Sequence, residues 1–576
     1  MHKIVHPQQT QLFDPFDRVL TEKTRKRLLN GWQGVFRHII LELMPVDAVS
    51  KQFDPTQGRP TQELYSMAGL LLIKEFMNWT KQEALDAYSF NINLHYALNL
   101  EPVAHDLSMR TLERYIHLFE ENALAKTILA DITVELVKQL DLTIDVQRLD
   151  STHIFSDMAS FGRTRLMGVT IKRFLTQLKR HDPHSYEALD ESLRQRYTPG
   201  VHQLFADVQK DSDSRRLLRQ QVAEDMYALV RLFADNASHK DKDTYQALER
   251  LFYEQCDVQE EKVTVKAKTG GNVMQNPSDP DATYDGHKGP GYQVQIAETC
   301  AADNDVQLIT CAIPQTAAAS DTAALPEVIE VLKESELLPE ALFADTLYCS
   351  DENVQAAEAQ GVELVGPTPS GSAESPNSHQ LNRDDFNIDE TTEAVVCCPA
   401  GHSPQSSVHD KKTGTTQTVM PPSTCSRCEF VGECPVKKIG DHYVLDHTAK
   451  QRRLAARRRE EATEVFRQRY RIRGGIEGTN SGLKRRTGLG QLRVRGAPAV
   501  FHAIYLKIAG WNILRAAACA KMRKIVHERA AAAVFYLNCV FLRLAMCPQS
   551  GGVSVKNQIL RYVRQIEKCS TGNKAA

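Results

Sequence analysis

The hydrophobic period changes once, sharply, near residue 142, and that change limits the folds open to this chain. Before it, apolar residues recur at i, i+3, i+4 and i+7 through FDRVLTEKTRKRLLNGWQGVFRHIILELM, ELYSMAGLLLIKEFMNWT, KQEALDAYSF and MRTLERYIHLFEENALAKTILADITVELVKQL. That is the spacing of helices with one buried face. Residues 142–150, LTIDVQRLD, instead alternate with β-branched character and read as a strand ending at Asp150. A chain that runs helical and then alternates strands with helices buries a sheet between helical layers. The predicted class is mixed α/β.

Further strands are expected at 291–300, 306–313, 341–350 and 362–369, with helices at 324–336 and 351–360. Residues 163–265 return to charged helices, and the gap between Asp150 and Gly291 is too long for a loop. Residues 370–450 are rich in Ser, Thr, Pro and Cys and read as loops and short strands; from His447 to about Leu514 the chain reads as helical, with breaks near Gly474-Gly475 and Gly488–Gly490. The expected organisation is a helical amino-terminal unit (1–137), a core (138–515) interrupted by a helical insert (163–265) and a Cys-rich insert (370–450), and a helical tail (516–576). MRTLERYIHLFEEN follows a turn as a DNA-recognition helix would, although plain helix packing produces the same pattern.

Charge is segregated although the formal net charge is only −2. Residues 451–500 carry 13 Arg and 1 Lys against 4 Glu, whereas residues 301–360 carry 12 acids against the single Lys333. Such asymmetry suits a polyanion-binding face beside an acidic segment; a solvated Arg-rich helix on an acidic neighbour would look the same. The stretch AAAAVFYLNCVFLRLAM is interrupted by Asn538 and Arg543, short of the ~20 apolar residues of a membrane span. The start, MHKIVHPQQT, has no apolar signal region. A cytoplasmic protein with no membrane partner is the expectation.

Two acids sit in turn-like contexts after strand-like runs, Asp150 in QRLDSTHIF and Asp345 in LFADTLYCSDENV. Carboxylates on neighbouring strands, with a third from a helix, suit Mg²⁺ or Mn²⁺, two of which about 4 Å apart drive phosphodiester displacement. The third acid comes from RQRYRIRGGIEGTNSGLKRRTGLG, where Tyr470, Arg473, Glu477 and Lys484 stand at offsets 0, 3, 7 and 14, one face of a helix. Asp145 points to the opposite face of the strand from Asp150; Asp157, Asp351 and Glu352 fit turn or capping roles; Asp279 and Asp281 fit turn chemistry in a loop that could approach the site. Glu298 is the accessory acid expected from a strand end, and His153 an orienting or structural residue.

These three blocks resemble those of bacterial insertion-sequence DDE transposases, in the group whose last block carries a Tyr-x2-Arg-x3-Glu-x6-Lys signature. The segment NPSDPDATYDGHKGPGYQVQIAETC is similar to that group's strand-entry block. The resemblance implies an RNase H-like core, Asp150, Asp345 and Glu477 as the catalytic triad binding two Mg²⁺ (or Mn²⁺), and phosphate contacts from Tyr470, Arg473 and Lys484. Arg485 and Arg486, in the same basic run, join the DNA-binding set. It also implies double-stranded DNA as partner, at element ends and target, handled by a homodimer in the nucleoid. The expected reaction is cut-and-paste transposition: hydrolysis at element ends, then 3′-hydroxyl strand transfer. The two inserts depart from the family pattern. A domesticated nuclease on the same fold, or a zinc-containing DNA-binding protein without catalysis, are the rival readings.

Thirteen Cys in a chain of this size suggest reduced thiols or metal ligands. Cys398 (or Cys397), Cys425, Cys428 and Cys434 have the spacing of a tetrahedral zinc site, with His402, His409, His442 and His447 as possible substitutes. Cys256, Cys300, Cys311, Cys349, Cys519 and Cys539 lie in apolar runs and read as core.

Overall fold

The computed structural model describes residues 2–7, 14–206, 211–369, 381–389 and 391–531. Part of the Cys-rich insert, and the expected tail beyond residue 531 with Cys539, lie outside the described residues. The principal helices of the amino-terminal third are α1 (Leu64–Phe76), α2 (Met109–Glu121) and α3 (Leu124–Leu140). Apolar on nearly every face, α1 is buried almost throughout; the Glu63 carboxylate caps it by accepting from the Tyr65 and Ser66 amides at 3.1 and 2.6 Å. Helix α2, the candidate recognition helix, turns Leu112, Tyr115, Leu118 and Phe119 into the main core.

Strand β1 (Val146–Ile154) then opens the sheet. It does not stop at Asp150 as its alternation suggested: Ser151, Thr152, His153 and Ile154 each find a ladder partner in the strand Gly289–Thr299. Asp150 therefore sits in mid-strand, held from both sides. Between these strands come α4 (Arg163–His181), α5 (Ser212–Phe233), α6 (Asp243–Gln255) and a short hairpin, with a hydrophobic cluster of their own around Phe174, Met226, Leu248 and Phe252.

The sheet continues with β2 (Thr283–Asp285), β3 (Gly289–Thr299), β4 (Ile309–Thr316), helix α7 (Asp321–Glu334), β5 (Ala341–Phe343), helix α8 (Asp351–Glu358) and β6 (Glu363–Val365). Its order is β4-β3-β1-β5-β6; β4, β3 and β1 are antiparallel, β1, β5 and β6 are parallel, and β2 pairs with the start of β3. Gly291 lets β3 lie this close, since a Cβ there would stand 2.4 Å from the Ile154 carbonyl oxygen and its φ is +141°.

After a small antiparallel sheet, β7 (Ser406–Asp410), β8 (Thr415–Met420), β9 (Lys437–Ile439) and β10 (His442–Thr448), the chain becomes helical. His447 is the penultimate residue of β10, not the start of a helix as expected. Helix α9 (Ala449–Glu461) begins behind a Thr448/Gln451 capping box. Next come α10 (Glu464–Tyr470), a 3₁₀ turn (Arg471–Gly474), α11 (Gly475–Thr487) and α12 (Ala497–Ala518). The signature residues thus lie on two helices and the tight turn that joins them, with Arg473 in the turn, rather than on one helix. Helix α12 packs against α1 and α3, crossing α1 so closely that a Cβ on Gly510 would stand 2.0 Å from the Phe76 Cβ. No described helix is long and apolar enough to cross a membrane.

Candidate active site

One guanidinium organises the site. Arg473 Nη2 donates to Asp150 Oδ1 at 3.0 Å and stands 3.9 Å from Asp345 Oδ2, while its Nη1 donates to Glu477 Oε1 at 3.2 Å. Mid-strand β1, the turn after β5 and the first turn of α11 therefore deliver three carboxylates to one cation. Their environments differ, with 15%, 33% and 71% of the respective side chains exposed. Burial raises the Asp150 carboxyl, Arg473 opposes that, and Asp345 and Asp321 push it further up.

The two strand-borne acids are also held from behind. Asp150 Oδ2 accepts from Asn480 Nδ2 at 3.2 Å, and Asp345 Oδ1 accepts from the Leu347 amide at 2.9 Å. Tyr470 donates its hydroxyl to the Ala344 carbonyl at 3.0 Å and stacks on Phe466. That hydroxyl is engaged by the turn bearing Asp345, and burial pushes its pKa up to about 12. Lys484 is half-buried nearby, its pKa lowered by burial and by Lys288 and raised by Asp150. Arg485 and Arg486 are exposed at the end of α11.

Beneath the site lies a buried ion pair. Arg148 of β1 donates through Nε and Nη2 to Glu298 Oε2 of β3, at 2.8 and 2.6 Å, and through Nη1 to the Ile472 carbonyl at 3.0 Å. Thr479 of α11 donates to Glu298 Oε1 at 2.7 Å. Fully buried and fully engaged, Glu298 faces this pair and not the three acids, so its reading as an accessory acid is corrected. The 3₁₀ turn carrying Arg473 hangs from Arg148 through the Ile472 carbonyl.

Sequence reading missed Asn480, Thr479, Arg148 and Asp321. Asp321 opens α7 and accepts from Ser151 Oγ at 3.1 Å and Gln295 Nε2 at 2.8 Å, which brings a fourth carboxylate beside Asp150. In the sequence it had only the look of a helix-start acid after Ser320. Asp279, Asp281 and Asp351 serve the fold instead: Asp279 accepts from Ser156 and Tyr292, Asp281 from the Ala497 amide, and Asp351 from Arg453. His153 is buried, its pKa lowered chiefly by burial, with neither ring nitrogen in a well-formed hydrogen bond.

Carboxylate oxygens are the donors a hard divalent ion takes, and in this structure the charge among them is the Arg473 guanidinium. In the Cys-rich unit, Cys398, Cys425, Cys428 and Cys434 line one pocket with His402, Phe430 and Tyr443, and Cys398 and Cys434 pack against Phe386, Val395 and Leu445. Burial and the neighbouring sulfurs push the Cys425 thiol up to about 11. Cys397 is half-exposed, while Cys256, Cys300, Cys311, Cys349 and Cys519 are buried. Among the described residues, no group of three or more His, Cys, Asp or Glu is spaced to hold a metal ion. That holds for Asp150, Asp345 and Glu477 as well as for the cysteines: the zinc expectation has a shared pocket and the Mg²⁺ expectation three acids around one guanidinium, with no ligand-spaced set behind either.

No curated protein matches the chain. A solved structure, the piggyBac transposase synaptic complex with hairpin DNA, aligns at 12% identity over 70% of this chain and 75% of that one; its TM-score of 0.21 is too low to bear on the fold. A family model described as the transposase DDE domain matches residues 397–517. From the Cys-rich unit through the helix bearing Glu477 to the end of α12, the chain is therefore similar to a transposase DDE domain.

Proposed function

We propose that this chain is a DNA transposase of the DDE type, acting by cut-and-paste on an insertion sequence of bacterial origin. The single observation that carries the reading is the gathering of Asp150, Asp345 and Glu477 on Arg473. The domain match over 397–517 includes Glu477 and all four signature residues and supports it. Three antiparallel strands followed by two parallel ones suit an RNase H-like core, in which 163–265 and 370–450 are inserts.

Asp150, Asp345 and Glu477 would hold Mg²⁺ or Mn²⁺, two ions per site. Such ions activate a water or a 3′-hydroxyl and stabilise the leaving oxygen. The chain's own residues supply the rest. Arg473 is drawn off the carboxylates by a DNA phosphate, Lys484 grips a second phosphate, and Arg485 and Arg486 hold the backbone further along. Tyr470 positions the Asp345 turn through Ala344. Asn480 keeps Asp150 oriented while the guanidinium moves. Double-stranded DNA is the partner, a homodimer the acting form, and the nucleoid the location.

We also propose that Cys398, Cys425, Cys428 and Cys434 close on one structural Zn²⁺, which would stabilise a unit with little apolar core.

The test is a nicking and strand-transfer assay with Mg²⁺ on a duplex carrying the inverted repeat that flanks the coding region. Wild type is expected to cut, and Asp150→Asn, Asp345→Asn and Glu477→Gln to lose at least a thousandfold while still binding. Binding without cutting by the wild-type protein would favour a non-catalytic DNA-binding protein; cutting without strand transfer would favour a nuclease.

A further inference from the structure

The two strand-borne acids stand beyond the backbone ladder that joins their strands. β1 and β5 pair at Val146–Ala341, Gln147–Leu342 and Arg148–Phe343, and among the described residues the pairing goes no further. Asp150 lies two residues past the last rung on one strand, and Asp345 two residues past it on the other, in a turn. β3 holds β1 from its far side, but no rung between β1 and β5 sets the distance between the two carboxylates.

The first turn of α7 spans that gap. Ser151, next to Asp150, and Gln295 of β3 are cross-strand partners, and both donate to Asp321: Ser151 Oγ to Oδ2 at 3.1 Å and Gln295 Nε2 to Oδ1 at 2.8 Å. The following residue, Thr322, donates its hydroxyl to the Leu347 carbonyl, two residues past Asp345, at 2.5 Å. Asn353 of α8 ties the same segments again, its Nδ2 donating to the Thr322 and Tyr348 carbonyls, each at 2.8 Å.

A buried relay closes the loop. The Tyr348 hydroxyl donates to Gln295 Oε1, and both side chains are fully buried. Chemistry fixes the direction of these bonds. A carboxylate only accepts, so the Gln295 NH₂ group faces Asp321, and its second proton goes to Gln315 Oε1 at 3.1 Å. Oε1 is left for Tyr348, which must donate. Asp321 therefore joins the residue after Asp150 to the turn after Asp345 by two routes, one through Gln295 and Tyr348 and one through Thr322.

We propose that Asp321 is a positioning residue that sets the separation of Asp150 and Asp345, acting through its hydrogen bonds to Ser151 and Gln295 and not as a fourth metal ligand. The inference rests on the transposase reading. Two divalent ions about 4 Å apart need carboxylates at a fixed spacing, and that spacing must survive the departure of Arg473 to a phosphate. The α7 clamp survives it, because none of its bonds involves Arg473.

The experiment compares wild type, Asp321→Ala, Asp321→Asn and Thr322→Val by calorimetry of Mn²⁺ uptake without DNA, and by binding and nicking of the inverted-repeat duplex, with thermal melts as control. Asp321→Ala should take up Mn²⁺ roughly 10- to 100-fold more weakly and lose a similar factor in nicking, with duplex affinity unchanged. Asp321→Asn should recover most of both, since its amide oxygen still accepts from Gln295 and its NH₂ group can donate to Ser151 Oγ. Thr322→Val keeps the volume and breaks the bond to Leu347; it should show a smaller loss of the same kind, and it decides the question if Asp321→Ala does not fold. A folded Asp321→Ala protein that matches wild type in Mn²⁺ uptake and nicking overturns the positioning role and leaves the transposase reading standing. Asp321→Asn as weak as Asp321→Ala also overturns it, because charge is then what acts. If wild type takes up Mn²⁺ and binds the duplex without cutting it, the transposase reading falls and the Mn²⁺ series still judges Asp321. Wild type that takes up no Mn²⁺ overturns both.

Discussion

Arg473 and Asp150, 323 residues apart in the chain, meet at 3.0 Å, and through that contact the strand carrying one acid is joined to the turn preceding another. The guanidinium holds together carboxylates that would otherwise repel, in a site where the Asp150 and Arg473 side chains are each only 15% exposed. Removing one partner of such a pair leaves the other charge without compensation. Arg473→Gln should therefore lower the melting temperature in EDTA, by roughly 1–3 kcal/mol of stability, and Mn²⁺ should restore it. The variant should also take up Mn²⁺ more tightly than wild type without DNA, measurable by calorimetry. Equal Mn²⁺ affinity in the two proteins would show that Arg473 and the ion do not compete.

The Arg148–Glu298 pair gives a second expectation. Glu298→Gln strips the charge from a fully buried partner and should cost about 3–5 kcal/mol, read from urea unfolding. Gly475→Ala should act on the same pair from the other side, because its Cβ would stand 1.9 Å from Arg148 Nη1. Both should lower cleavage more than DNA binding, since the 3₁₀ turn they disturb aims Arg473. Unchanged cleavage in a folded Gly475→Ala protein would detach the pair from the site.

Two histidines, His502 buried and His38 partly buried, set the acid side of the stability profile. Burial brings the pKa of His502 and of His38 down to about 4 from an ordinary value of 6.5. Between those values the unfolded chain binds protons that the folded chain refuses, so stability falls as pH drops from 6.5 to 4, by on the order of 3 kcal/mol for each histidine. The Glu75 carboxyl, lowered to about 2 by Lys74 and Lys507 against its burial, adds a loss only below pH 4.5. Melting temperature against pH should show the steeper decline beginning near 6.5, and His502→Gln should flatten it. A flat profile from 6.5 to 5 would contradict the burial of both rings.

Elemental analysis should find about one zinc per chain, and Cys425→Ser should lose it and expose residues 390–440 to protease with little effect on the rest. Zinc-free protein that resists proteolysis over the same segment would leave the four thiols as packing.

The acids were legible in the sequence because each sits in a short local pattern, and the helix and strand periods placed most elements within a few residues. What escaped lies in pairings between distant segments. The run Ser151-Thr152-His153 reads as a turn until β3 is seen beside it. An ideal helix sets Tyr470 and Arg473 on the face of Glu477, yet the turn over Arg471–Gly474 parts the helix of Tyr470 from that of Glu477, and the Arg148 bond to the Ile472 carbonyl reaches that turn from 324 residues away. Glu298 looked like a free acid because nothing local announces Arg148 across the strand pair.

Lys507 has a consequence for how the molecule opens. Buried on α12, it donates to the Thr487 carbonyl at the end of α11, to the Glu75 carbonyl near the end of α1, and to Asn78, at 2.7, 2.9 and 3.1 Å. Releasing the end of the Glu477 helix therefore orphans the Thr487 carbonyl and takes one partner from a buried ammonium that still holds Glu75 and Asn78. Amides of the last turn of α11 and of the last turn of α1 are expected to exchange with solvent as one unit. The first turn of α11 exposes Glu477 but is anchored by buried Ile476, by Thr479 on Glu298 and by Asn480 on Asp150. The carboxylate therefore stands on a fastened turn, and the basic end of its helix is tied through Lys507 to the amino-terminal helices.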